Sequence, residues 1–195
     1  FSNAVISNCV VVGCRALSNH GGGVFGGIVR DSVISGNRSG YGGGGGYQST
    51  LERCMIFGNR VTSMAGGGGG ARGCTVRSSI FSNNWAGMGG AAQECTIEDT
   101  VISSNATDQG GALLDCSVRS SLIVQNRGIL YAGAAYGCTL WNCTIFSNSV
   151  EYGSSGLPSG GAKNCTLINC ILYQNKAAGT INDYTGGSVD HCLVG

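Results

Sequence analysis

Gly27-Ile28-Val29-Arg30-Asp31-Ser32-Val33-Ile34-Ser35-Gly36-Asn37 is the stretch that decides the fold, because the chain repeats its pattern. A small residue is followed by Thr or Ile, an aliphatic, two mostly polar residues, Ser or Cys, two aliphatics and, shortly after, Asn. The phrase returns from Ser49 to Asn59, Cys74 to Asn84, Cys95 to Asn105, Cys116 to Asn126, Cys138 to Asn148 and Cys165 to Asn175. A weaker copy runs from Ala4 to Cys14, and a ninth is expected to open at Cys192. Successive starts lie 21 to 27 residues apart, a period that marks a solenoid. The eleven-residue phrase keeps its length while the segment after it stretches, so insertions map to one side of each coil. So short a repeat has no room for two helices, and 36 glycines with a single proline and many β-branched residues point to short strands and turns.

Numbering the phrase from its first residue gives eleven slots. Slot three (Val29, Leu51, Val76, Ile97, Val118, Leu140, Leu167) and slot eight (Ile34, Ile56, Phe81, Ile102, Ile123, Ile145, Leu172) are apolar in every copy. Period-two alternation places slots one and three inside and slot two outside. Slots six and eight return to the inside after a bend at slots four and five. With coils stacked ~4.8 Å apart, equal slots become columns. Slots three and eight then form a dry spine, and slot eleven an Asn column able to hydrogen-bond from coil to coil. Slot four reads Arg30, Glu52, Arg77, Glu98, Arg119, alternating charges that suit adjacent strands in this register. Gly-Gly steps such as Gly89-Gly90-Ala91 let a third strand lie close to the core. The expected fold is all-β, a right-handed parallel β-helix of about eight coils, one domain over residues 1–195.

The tetrapeptides Gly110-Gly111-Ala112-Leu113 and Phe81-Ser82-Asn83-Asn84 carry a resemblance. The chain resembles the pectin-lyase-like right-handed β-helices and, more narrowly, the repeats of polymorphic outer membrane proteins. Most copies are looser, with Ile102-Ser103-Ser104-Asn105 replacing Phe by Ile. The resemblance implies a secreted or cell-surface passenger. It also implies a fold that hosts polysaccharide lyases and glycoside hydrolases, while the tetrapeptides themselves encode coil geometry.

Composition narrows the partners. A formal net charge of +1 gives no overall basic footprint for nucleic acid, and no apolar run is long enough to span a membrane. The glycine pentads 42–46 and 66–70 do not have a phosphate-loop pattern. They are expected to form a surface without side chains, open to another backbone. No cofactor is called for. Of the eleven cysteines, Cys74, Cys95, Cys116, Cys138, Cys165 and Cys192 fall in slot one, and Cys9, Cys54, Cys143 and Cys170 in slot six. Their spacing is not that of a zinc site. They read as small buried residues with free thiols, the alternative being bridges Cys138–Cys143, Cys165–Cys170 and Cys9–Cys14.

Three functional classes remain. Glu94 and Asp115, with Glu98 and Asp99 close by and Arg77 and Arg119 flanking, are the best candidates for a carbohydrate-active site, which needs clustered carboxylates. Thr50, Thr75, Thr96, Ser117, Thr139 and Thr166 in slot two form a single hydroxyl column, a minimal argument for ice binding. The third class rests on outward slots seven and nine. Val33, Met55, Phe57, Ile80, Val101, Leu122, Val124, Phe146, Ile171 and Tyr173 make an apolar stripe. Such stripes mark contacts with another chain or a ligand. The sequence reading is therefore a non-enzymatic structural or adhesive solenoid, self-associating or bound to another surface protein or polysaccharide. Cys192-Leu193-Val194, read as an uncapped ninth coil, adds the expectation of a longer solenoid or of head-to-tail filaments.

Overall fold

Left-handed residues turn the chain three times per coil, and those three corners explain the phrase. Slot five is Asn8, Asp31, Arg53, Ser78, Asp99, Ser120, Asn142, Asn169 and His191, each with φ between 47° and 53°. The residue before slot one is left-handed as well, as at Gln48, Glu94, Asp115 and Asn164, and so is slot ten, as at Asn83, Ser104, Gln125 and Gln174. A lone left-handed residue breaks the strand without starting a helix. The spacing of five leaves four residues between corners, which alternate in-out-in-out, so the middle residue of each three-residue strand is buried.

The structure, a computed structural model, describes residues 4–152 and 158–195. It is a parallel β-solenoid of about eight turns. Sheet A carries slots two to four, as in Thr96–Glu98; sheet B slots seven to nine, as in Val101–Ser103; sheet C the segment after the Asn, as in Ala106–Gln109. Sheets B and C each stack nine strands in one order. Sheet A also takes in the two-residue strands ahead of slot one, such as Ala92–Gln93, because Ala162–Ile168 runs through that corner in one piece. The register is slot on slot: Val76 pairs Ile97, which pairs Val118, and Phe81 pairs Ile102, which pairs Ile123. From the second coil to the eighth, slots three and eight are at most 1% exposed. In the first coil Ile6 and Val11 are only partly buried, as expected for a layer with a neighbour on one side.

The glycine pentads correct an expectation. Residues 42–46 and 66–70 are buried, not an open surface. A Cβ on Gly69 would collide with the Gly90 carbonyl oxygen and lie only 2.5 Å from that of Trp85. On Gly44 it would collide with the Gly69 oxygen. The backbone that approaches these glycines is the chain's own, from sheet C and from the next coil.

The C-terminal register also differs from the sequence reading. Cys192 does not open a ninth phrase. The strand Tyr184–Asp190 pairs with Ala162–Ile168 so that Gly187 faces Cys165 and Val189 faces Leu167. Slot one is thus Gly187 and slot three Val189. His191 takes the slot-five corner, Cys192 stacks on Cys170 in slot six, and Val194 pairs Leu172 in slot eight. The two registers are easily confused because Cys192-Leu193-Val194 mimics the start of a phrase. Just before this, a two-residue turn at Ala178 and Gly179, both with positive φ, folds Thr180–Ile181 back antiparallel on Lys176–Ala177. That hairpin covers the edge of sheet C, at an end expected to be uncapped.

Candidate functional site

Each corner is followed by a small inward residue, and these residues form three hydrogen-bonded ladders. In the slot-eleven ladder the backbone N–H of Asn84 donates to Oδ1 of Asn105 (3.0 Å), and Asn105 N–H donates to Asn126 Oδ1 (2.9 Å). The pattern runs from Cys14, whose N–H donates to Asn37, up to Asn175. Each Asn amide also donates along the column and to a carbonyl of the preceding coil, as Asn84 does to Ile56 (2.8 Å). The last acceptor is Asp183, whose Oδ1 receives both the N–H and the Nδ2 of Asn175.

Slots one and six use Ser, Thr or Cys in the same way. Cys54 N–H donates to Ser79 Oγ (3.0 Å), Thr100 N–H to Ser121 Oγ (3.1 Å), Cys74 N–H to Cys95 Sγ (3.4 Å) and Cys138 N–H to Cys165 Sγ (3.4 Å). Each hydroxyl or thiol donates back to the carbonyl two residues earlier, as in Ser79 to Arg77 and Cys95 to Gln93. The cysteines are therefore acceptors at a tight corner as well as small buried residues. All eleven are free thiols. The bridges Cys138–Cys143, Cys165–Cys170 and Cys9–Cys14 are not formed. Each pair sits at opposite ends of one extended side, five residues and roughly 16 Å apart, beyond the reach of a disulfide. Burial pushes the Cys116 and Cys138 thiols well above the ordinary range and raises Cys54 too. Among the described residues no group of three or more His, Cys, Asp or Glu is placed to hold a metal ion.

A labelling experiment tests this arrangement. Brief treatment of the native protein with a thiol alkylator is expected to modify the exposed Cys9 and Cys14 first and the half-buried Cys192 more slowly. The other eight should react only after denaturation. Peptide mass spectrometry that found five disulfides, or equal labelling everywhere, would contradict the buried thiol ladders.

The four candidate acids do not form one site. Glu94 and Asp115 occupy the corner before slot one in successive coils, whereas Glu98 and Asp99 lie at the far end of the strand Thr96–Glu98, roughly 13 Å or more along the chain. Glu94 is paired with Arg72 (3.1 Å) and Glu98 with Arg77 (3.4 Å). Asp115 is raised above the usual carboxylate range, chiefly by burial and further by the charge of Glu94. The rest of the charge ladder follows the expected register: Arg30 holds Glu52 at 2.7 Å and depresses its carboxyl, and Arg53 grips Asp31 with two bonds. Arg119 stacks on Trp141, 4.4 Å from the ring centroid. The slot-two hydroxyl column is present as one file, flanked outside by these charged and aromatic side chains.

Sheet B presents the apolar stripe openly. Met55 is 50% exposed, Ile80 42%, Ile171 43%, Tyr173 40% and Phe57 and Leu122 38% each, while Val33, Val101, Val124 and Phe146 are half-buried. Val10, Val12 and Leu193 extend it at the two ends. Phe146 stacks on Tyr173 with centroids 4.3 Å apart. Nine strands make a face about 38 Å long. No other described segment covers it.

Sheet C holds a column just beyond the eleven-slot phrase. The residue after slot eleven is Arg15, Arg38, Arg60, Trp85, Ala106, Arg127, Ser149 and Lys176, paired in that order from strand to strand. The signal for it in the sequence is the dipeptide Asn-Arg at Asn37-Arg38, Asn59-Arg60 and Asn126-Arg127. Compared with known proteins, the chain matches no family model, no curated protein and no solved structure.

Proposed function

We propose that this chain is a non-enzymatic structural or adhesive solenoid whose sheet B face associates side by side with a second copy. The setting we propose is the secreted or cell-surface one implied by the tetrapeptides. The observation that carries the reading is the open apolar face of nine strands on sheet B. Two such faces share the same ~4.8 Å strand pitch and can interdigitate at about 10 Å. A face about 38 Å long and one short strand wide buries less than a stable dimer needs, roughly 800 Å² per partner. The association is therefore weak for one pair and strengthened where many copies are held together. The hairpin over sheet C favours this lateral contact over head-to-tail stacking. The split of the four acids between two places and the ion pairing of Glu94 and Glu98 favour it over a carbohydrate-active centre.

Sedimentation over a concentration series is expected to show reversible dimerisation of the natural sequence, weakened about tenfold or more by Leu122→Glu, which places a charge at the middle of the stripe. The substitution is on the outer face, so the circular dichroism spectrum should be unchanged. A strict monomer at all concentrations, or dimerisation indifferent to Leu122→Glu, would exclude the lateral contact.

A further inference from the structure

We propose that the outer face of sheet C binds a sulfated polysaccharide along the row Arg15, Arg38 and Arg60. The sugar chain would continue past Trp85 into the recess beside Asp108. Arg15 pairs with Arg38 and Arg38 with Arg60 on adjacent parallel strands. Like charges directly opposite each other repel, and the coil pitch holds these three ~4.8 Å apart. Elsewhere the chain avoids this: Arg30, Arg53, Arg72, Arg77 and Arg127 each pair with a carboxylate. Among the described residues none of the three row arginines does. All three are exposed, and the left-handed Gly13 and Gly36 beside the row leave open space where side chains would stand. A net charge of +1 for the whole chain conceals this concentration on one face.

The ligand class follows from the donors. A guanidinium presents a planar fork that a carboxylate fills with its two oxygens. A sulfate ester has three terminal oxygens, so one group can span the forks of two arginines at the coil pitch. A phosphodiester has only two. Arg60 lies over the Trp85 indole, 4.1 Å from its centroid, which orients the fork while leaving its edges outward. Next along the column is a recess of about 190 Å³ lined by Trp85, Ala106, Thr107, Asp108, Arg127 and Ile129. An indole wall, a small apolar floor and a carboxylate suit a neutral sugar ring, whose C–H face packs on the indole and whose hydroxyls donate to Asp108. The same carboxylate repels the backbone of a nucleic acid. A single file of cations also matches one extended chain better than a duplex with two charged strands.

The test measures binding of the full chain to heparin, with chemically desulfated heparin, polygalacturonate and duplex DNA as comparison polymers. Heparin is expected to bind about tenfold or more tightly than the other three. Arg38→Gln should weaken heparin binding about fivefold and lower its salt dependence by about one counterion. Arg77→Gln, which removes the same charge from sheet A, should stay within about twofold. Trp85→Leu should weaken binding with the salt dependence unchanged. Equal effects of Arg38→Gln and Arg77→Gln, equal binding of desulfated heparin or DNA, or no heparin binding would each overturn the proposal. Leu122→Glu should leave heparin binding intact, so failure here is separable from failure of the lateral contact on sheet B.

Discussion

Replacing Ile97 by Asp is expected to abolish the native solenoid. Ile97 is 1% exposed in the fifth coil, stacked between Val76 below and Val118 above. A carboxylate there has no partner, because both inner columns are apolar through seven successive coils. An uncompensated buried charge costs about 3–5 kcal/mol or more, comparable to the whole stability of many domains. Ile97→Val should cost about 0.5–1.5 kcal/mol and Ile97→Ala about 2–5 kcal/mol. Glu98→Gln, one residue on and half-exposed in an ion pair with Arg77, should fall within about 0.5 kcal/mol. Urea unfolding followed by circular dichroism ranks the four. A midpoint for Ile97→Asp close to that of Ile97→Val would mean that slot three does not face the core. The damage should also spread, since each coil is stabilised mainly by the coils on either side of it.

The same columns explain how much of the fold is legible in the sequence. Slots three and eight need bulk and dryness in every coil, so Val76, Ile97, Phe81 and Ile102 repeat visibly and fix the register. The Asn column repeats because each member must both accept from one neighbouring coil and donate to the other. The corners are less legible. Slot five holds Asn, Asp, Arg, Ser and His, because what is shared there is a backbone angle rather than a side-chain chemistry. Cys192 is ambiguous for a related reason: slots one and six both require a small inward acceptor, so Cys fits either, and only strand pairing separates them. The glycine pentads signal close approach, but sequence gives no direction of approach. The row Arg15, Arg38, Arg60 is hidden because outward positions vary freely from coil to coil. Its meaning depends on which residues become neighbours across 22 or 23 positions.

The direction of the Asn ladder leads to the second large effect. Asn105 accepts at Oδ1 from the N–H and Nδ2 of Asn84, and its own Nδ2 donates to Asn126 Oδ1 and to the Phe81 and Ser103 carbonyls. Asn105→Ala leaves the Asn84 N–H and the Phe81 carbonyl buried without these partners, at about 1–3 kcal/mol each. The expected loss is about 3–5 kcal/mol. Asn105→Asp should be at least as damaging, although it is nearly the same size, because an oxygen would then face three acceptors in a dry interior. At the end of the ladder the requirement changes. Asp183 only has to accept from Asn175, and its second oxygen is buried without a hydrogen-bond partner. Asp183→Asn retains the accepting oxygen and removes a carboxylate from a buried place, so it should be neutral or stabilising. Chemical denaturation of Asn105→Asp and Asp183→Asn side by side tests the polarity of the ladder itself. Equal losses would show that the Asn column is held by packing alone. A large loss only at residue 105 would show that each coil depends on the donors its neighbour presents, and that the chain uses Asp183 where donation is no longer required.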